Sequence, residues 1–173
     1  MRQLKLTVLV ALVTLLAMPG ATVPAAPDPT VRAKLSGFEE TPVTLSTPAS
    51  GRFRAKIREA ASVIEFEMSY EGLPTTVLFA HIHLGRPAIT GGVSAFLCGG
   101  GGKPACPQSG TVTGTITPSN VIGPAAQGIA PGEFGELVEA IRAGATYVNV
   151  HTVAFPGGEI RGAIDSRRQR EKD

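Results

Sequence analysis

GRFRAKIREAASVIEFEMSYEG, residues 51–72, decides how the chain folds. In its first half Arg52, Arg54, Lys56 and Arg58 alternate with Phe53, Ala55 and Ile57. In its second half Glu65 and Glu67 alternate with Ile64, Phe66, Met68 and Tyr70. Successive side chains on a strand point to opposite sides, so each half is a strand with one wet and one dry face. A turn over Glu59–Ser62 sets Arg58 opposite Val63, Lys56 opposite Glu65 and Arg54 opposite Glu67. Opposite charges then meet on the wet face and apolar groups on the dry one. The basic stripe therefore reads as half of a charge ladder rather than as a surface for an anionic polymer.

Outward from this hairpin the chain continues as short strands between turn residues. VRAKLSG, from Val31 to Gly37, precedes it and is followed by FEETPV, where Pro42 interrupts any ladder. After it come LPTTVLFAHIHLG ending at Gly85, GGVSAFLC ending at Cys98, and the Thr-rich SGTVTGTITP closed by Pro118. Ser119 to Pro131 is loop-like. PGEFGELVEAIRAG breaks the pattern: Phe134, Leu137, Val138 and Ile141 recur at helical spacing, with Glu133 and Glu136 near the N-terminus and Arg142 near the C-terminus. Gly144 is placed to end this helix. YVNVHT and GEIRGAI complete the set as final strands. Many short strands with one helix predict an all-β protein, an antiparallel β-sandwich or flattened β-barrel with one short helix.

Residues 1–25 read as a secretory signal peptide. Arg2 and Lys5 precede the apolar run LTVLVALVTLLAM, which is shorter than the roughly 20 residues of a membrane span, and small residues follow it. The expected organisation is signal 1–25, linker 26–30, one β domain over 31–165 and a charged C-terminal tail over 166–173. Both basic residues of the signal leave with it, so the formal charge of +2 falls to near zero in the mature chain. Nucleic-acid binding then has no electrostatic driving force. No later stretch is apolar enough to span a bilayer, so the expected location is periplasmic or extracellular and the expected partner an extracellular or envelope component.

Cys98 and Cys106 are the only cysteines, separated by GGGGKPA. In an exported chain this spacing favours a local disulfide over a pair of thiolate metal ligands. The glycines lack the Lys-Ser/Thr and helix that would make a phosphate cradle.

All three histidines lie in two stretches, FAHIHLG and YVNVHTVAFPGGEIRG. Alternation puts His81 and His83 on one face of their strand, and Tyr147, Asn149 and His151 on one face of theirs, with Ala80, Ile82, Leu84, Val148 and Val150 opposite. If the strands are neighbours, the imidazoles converge on a shared surface. Three neutral imidazoles suit copper or zinc and leave a position for water or substrate. Asn149 and Glu159 are candidates to orient the rings, Glu159 also to be a fourth ligand, and Arg161 to contact an anion or pair with Glu159. The competing reading makes the histidines hydrogen-bonded pegs and the GEIRG pair a structural ion pair; an organic ligand or a partner peptide is a third. No nucleophile with a base and no paired carboxylates identify a catalytic residue.

The order LSGFEETPV, hairpin, AHIHLG followed by Gly91 and Gly92, short helix, YVNVHT and PGGEIRGAI resembles the chordin-type (CHRD) domain across Val31 to Asp165. The family includes exported bacterial proteins and the extracellular antagonist chordin, whose cysteine-rich modules have no counterpart here. The resemblance implies an exported β-rich binding module with no assigned reaction. His81-Ile82-His83, His151 and Arg161 also resemble, in order, the copper ligands and active-site arginine of copper-zinc superoxide dismutases. That likeness implies a small copper or zinc metalloenzyme as the alternative, although the chain lacks a fourth histidine and a zinc-binding group.

Overall fold

The structure is a computed structural model that describes residues 30–165. The expected signal peptide, all but the last residue of the linker, and the tail 166–173 lie outside the described residues. Eight strands follow in order: β1 (Thr30–Ser36), β2 (Ser50–Arg58), β3 (Val63–Glu71), β4 (Val77–Leu84), β5 (Gly92–Cys98), β6 (Gly110–Ile116), β7 (Thr146–Thr152) and β8 (Ile160–Ala163). The helix α1 (Phe134–Arg142) comes between β6 and β7. The strands form one antiparallel sheet in the order β5-β4-β7-β8-β1-β2-β3-β6. Its edge strands β5 and β6 approach each other, so the sheet curls into a nearly closed, flattened barrel.

The β2–β3 hairpin has the register that charge alternation predicts, with Arg58 opposite Val63, Lys56 opposite Glu65 and Arg54 opposite Glu67. On the wet face Arg54 pairs with Glu67 at 3.0 Å, and Arg58 reaches diagonally to Glu65 at 2.7 Å. Both pairs are solvent-exposed and contribute about 0.5 kcal/mol each at most. The dry face contributes far more: Phe53, Ala55, Ile57, Ile64, Phe66, Met68 and Tyr70 are all buried in the barrel core. Inward-facing residues of the other strands join them, among them Val31, Leu35, Ala80, Ile82, Leu97, Val148, Val150 and Ile160. The apolar side of α1, Phe134, Leu137, Val138 and Ile141, packs into the same core. Each of the larger aliphatic and Phe side chains stabilises the fold by roughly 1.5–3 kcal/mol on burial, so it is the core that holds the barrel and the charge ladder that sets its register.

β4 and β7 lie side by side, with Ile82 opposite Val148 and Ala80 opposite Val150. Their inward faces are aliphatic and their outward faces carry the histidines. Three connections fold over that outer face: 37–49, which packs against β8, 85–91 between β4 and β5, and 153–159 between β7 and β8. Every residue of β7 is consequently buried, on both faces.

Cys98 and Cys106 are joined, with an S–S distance of 2.00 Å, and no described cysteine is free. The bond closes the glycine loop back onto β5, where Gly99 N–H donates to Pro104 O at 2.7 Å. Replacing both cysteines, Cys98→Ser with Cys106→Ser, should lower the unfolding free energy by about 2–3 kcal/mol, the loop-closure entropy of so short a ring. Urea unfolding of the two proteins without reductant measures the difference, and a change below about 0.5 kcal/mol would refute a stabilising role for the bridge.

Candidate metal centre

His81 stands opposite Asn149 in the β4–β7 ladder and His83 opposite Tyr147, while His151 faces Phe79 one step along. The three imidazoles form a cluster: ring centroids are 4.5 Å apart for His81–His83 and for His81–His151, and 6.1 Å for His83–His151. One ring nitrogen from each lies within 4.8 Å of the other two. Among the described residues no carboxylate or thiol joins this group. Phe79 and Phe96 pack against His81 at 5.2 and 5.0 Å, and Tyr147 stacks on His83 at 4.6 Å with an interplanar angle of 5°. The cluster lies on the outer face of the barrel, as alternation requires, but it is not an open surface. His81, His83 and His151 are only 3%, 7% and 6% exposed, because the three covering loops close over them.

Those loops also orient the rings. His83 Nδ1 lies 2.8 Å from Gly91 O, and His151 Nδ1 lies 3.0 Å from Pro156 O. A carbonyl can only accept, so in each ring Nδ1 carries the proton and Nε2 holds the lone pair. Both Nε2 atoms, and His81 Nδ1, are buried with no hydrogen-bond partner. Leaving such acceptors unpaired is costly, whereas fixing the far side of an imidazole by a backbone carbonyl is the usual support for a metal ligand. Gly91 is required for this arrangement, since a Cβ on it would fall 1.7 Å from Leu84 O. Its N–H also donates to Tyr147 Oη at 3.2 Å.

Asn149, Glu159 and Arg161 share the histidines' side of the sheet but none of them orients a ring by a direct hydrogen bond. Glu159 is fully buried and accepts hydroxyl hydrogen bonds from Thr47 at 2.8 Å and Thr152 at 2.5 Å. Among the described residues no ion pair joins it to Arg161, and its carboxylate does not lie in the three-histidine group. The carboxylate is engaged instead by threonine hydroxyls of the neighbouring loop and strand, one on each oxygen. Arg161 instead lays its guanidinium over the Tyr147 ring, 3.4 Å from its centroid, and donates to Ile89 O at 2.6 Å and Arg86 O at 3.2 Å. It thereby ties down the 85–91 loop whose Gly91 holds His83. Asn149 contacts Glu40 at 3.5 Å.

Glu40, the phenylalanines of the aromatic wall and the two carbonyls carry no signal in the sequence. Glu40 is 6% exposed, and its Oε1 has no hydrogen-bond partner, nor has Asn149 Oδ1. Both face Gly158, where a Cβ would sit 2.9 and 2.8 Å from them, so the backbone there, at φ +129°, depends on glycine. Burial pushes the Glu40 carboxyl up to about 7, against the lowering effects of Arg161 and Asn149. The histidines are displaced the other way. Burial, with His151 and His83 adding to it, lowers His81 to about 2. Burial lowers His83 to about 4 despite the Gly91 carbonyl, and lowers His151 as well. All three rings are therefore neutral at pH 7, the state a metal requires.

Fold and site together define an all-β barrel protein with a buried three-histidine cluster beneath its loops. Residues 31–164 match the CHRD domain model, and the chain belongs to the CHRD domain family. Comparison with curated proteins and with solved structures finds no match. Among the described residues no helix is long and apolar enough to cross a membrane.

The titrating groups predict opposing pH effects on the metal-free protein. Below pH 6.5 the unfolded chain protonates its histidines while the folded chain does not, so stability falls on acidification. Glu40 acts in reverse: between its ordinary 4.5 and about 7 the folded state holds the extra proton, and stability falls as pH rises. Three depressed histidines outweigh one carboxyl, so denaturant titrations should show net loss of stability from pH 6.5 down to 4.5. Glu40→Gln should match the parent near pH 4 and exceed it by about 2–3 kcal/mol at pH 8. Arg161→Lys keeps the charge but loses the planar stack and the aim at two carbonyls. It should cost about 2 kcal/mol in the same measurement, and an unchanged midpoint would show that Arg161 does not hold the loop.

Proposed function

We propose that this protein is an exported CHRD-domain metal-binding module in which His81, His83 and His151 hold a single copper or zinc ion. The observation that carries the reading is the convergence of three buried imidazoles whose outward ring nitrogens have no partner, while the opposite nitrogens of two are fixed by backbone carbonyls. Hydrogen-bonded pegs would leave no such lone pairs. The donor atoms need to close by only about an ångström to meet metal–nitrogen bonds of about 2 Å. Burial of the rings favours holding an ion over turning over a substrate, because a catalytic centre keeps an open position. Export is supported by the signal-like segment 1–25 and by the Cys98–Cys106 disulfide, which persists in oxidising compartments. On this reading 26–30 is a linker, 31–165 the functional domain and 166–173 a charged C-terminal tail.

Titration of the metal-free protein with Zn(II) and copper should reach one ion per chain and raise the unfolding midpoint through linkage. His81→Gln, His83→Gln and His151→Gln should each weaken binding by about 100-fold or more and abolish that rise. Because the rings are buried, the same changes should also cost the metal-free fold about 1–3 kcal/mol. Tight binding unaffected by all three replacements would place the ion elsewhere.

A further inference from the structure

The charge environment of the histidine cluster discriminates between ions. From it we infer that the site is built for monovalent copper, Cu(I), in preference to Cu(II) or Zn(II), an inference that rests on the three-histidine reading above. All three donors are neutral imidazoles, no carboxylate or thiol joins them among the described residues, and both cysteines are consumed in the disulfide. The ion's full charge would therefore remain on the centre. That charge would sit among Phe79, Phe96 and Tyr147, with the ligands themselves at least nine-tenths buried. The cost of moving an ion out of water grows with the square of its charge, so a dication is penalised about four times as heavily as a monocation.

The neighbouring charges act in the same direction. Arg161 is 2% exposed and stacks on the ring that His83 also stacks on, adding a fixed positive charge that repels a dication twice as strongly. Of the two buried carboxylates nearby, Glu159 accepts from Thr47 and Thr152, and Glu40 is directed at Asn149 and Gly158. Neither carboxylate lies among the clustered donor atoms, so neither would cancel the ion's charge by direct ligation. Coordination number agrees. Zn(II) sites close a four-ligand shell, whereas here only three donor nitrogens cluster and no carboxylate or thiol joins them among the described residues; closed-shell Cu(I) accepts the lower number.

Anaerobic competition of the metal-free protein against a chromophoric Cu(I) chelator, with parallel Zn(II) and Cu(II) competitions, tests the assignment. Cu(I) should bind at one per chain and at least about 100-fold more tightly than either dication, a ratio that corresponds to a few kcal/mol of charge burial. The three His→Gln replacements should remove this binding. Phe96→Glu would set a carboxylate beside His81, and it should narrow the Cu(I)-to-Zn(II) ratio at least about tenfold, while Phe96→Leu should not. If Phe96→Glu does not fold, the comparison of the three ions on the parent protein decides alone. Histidine-dependent binding of Zn(II) or Cu(II) as tight as that of Cu(I) would overturn the inference and leave the metal site standing. Absence of histidine-dependent binding by any of the three would overturn both.

Discussion

The pairing of β4 with β7 places two incompatible surfaces back to back, and the rest of the structure is arranged to bury both. Inward, Ala80, Ile82, Val148 and Val150 complete the barrel core. Outward, His81, His83, Tyr147, Asn149 and His151 form a row that would be half-solvated on an ordinary sheet. Here three loops cover it, and β7 has no exposed residue. A strand buried on both faces normally reads as a continuous aliphatic run. The polar outer row can be buried only because its partners arrive from outside the sheet.

Those partners are mostly backbone. Gly91 O and Pro156 O hold His83 and His151, and Arg161 returns the favour by holding the carbonyls of Arg86 and Ile89. Loop and strand thus stabilise each other: the loop orients the His83 ring, and a buried cation keeps the loop against the strand. Tyr147 joins the two, stacking with His83, carrying the guanidinium and accepting from Gly91 N–H. The outcome is three clustered imidazoles, two with tautomers set by backbone carbonyls, each offering a ring nitrogen within 4.8 Å of the other two. In a protein interior such an arrangement is unfavourable without an ion.

The carboxylates show how context assigns roles that residue type does not. Glu159, fully buried, is held by two threonine hydroxyls and keeps the last strand joined to the 37–49 connection and to β7. Glu40, from that same connection, lies near Asn149 with one oxygen unpaired and a raised protonation range. Neither joins the histidine cluster, whose three rings are packed against Phe79, Phe96 and Tyr147.

The sequence by itself determined whatever depends on neighbours along the chain. Alternation of Arg54, Lys56 and Arg58 against Glu65 and Glu67 was enough for the hairpin and its register, and the spacing of Phe134, Leu137, Val138 and Ile141 was enough for the helix. Period-two geometry likewise put the three histidines on matching faces, because face alternation is local. Tertiary structure alone decided that β4 and β7 are neighbours, that the imidazoles are sealed rather than exposed, and that Glu159 is held by threonines while Arg161 lies over Tyr147. Thr47 is 112 residues from Glu159, and Glu40 is 109 from Asn149. No periodicity encodes contacts of that separation. They follow from the closure of the barrel, which brings the loops of distant strands over one row of side chains.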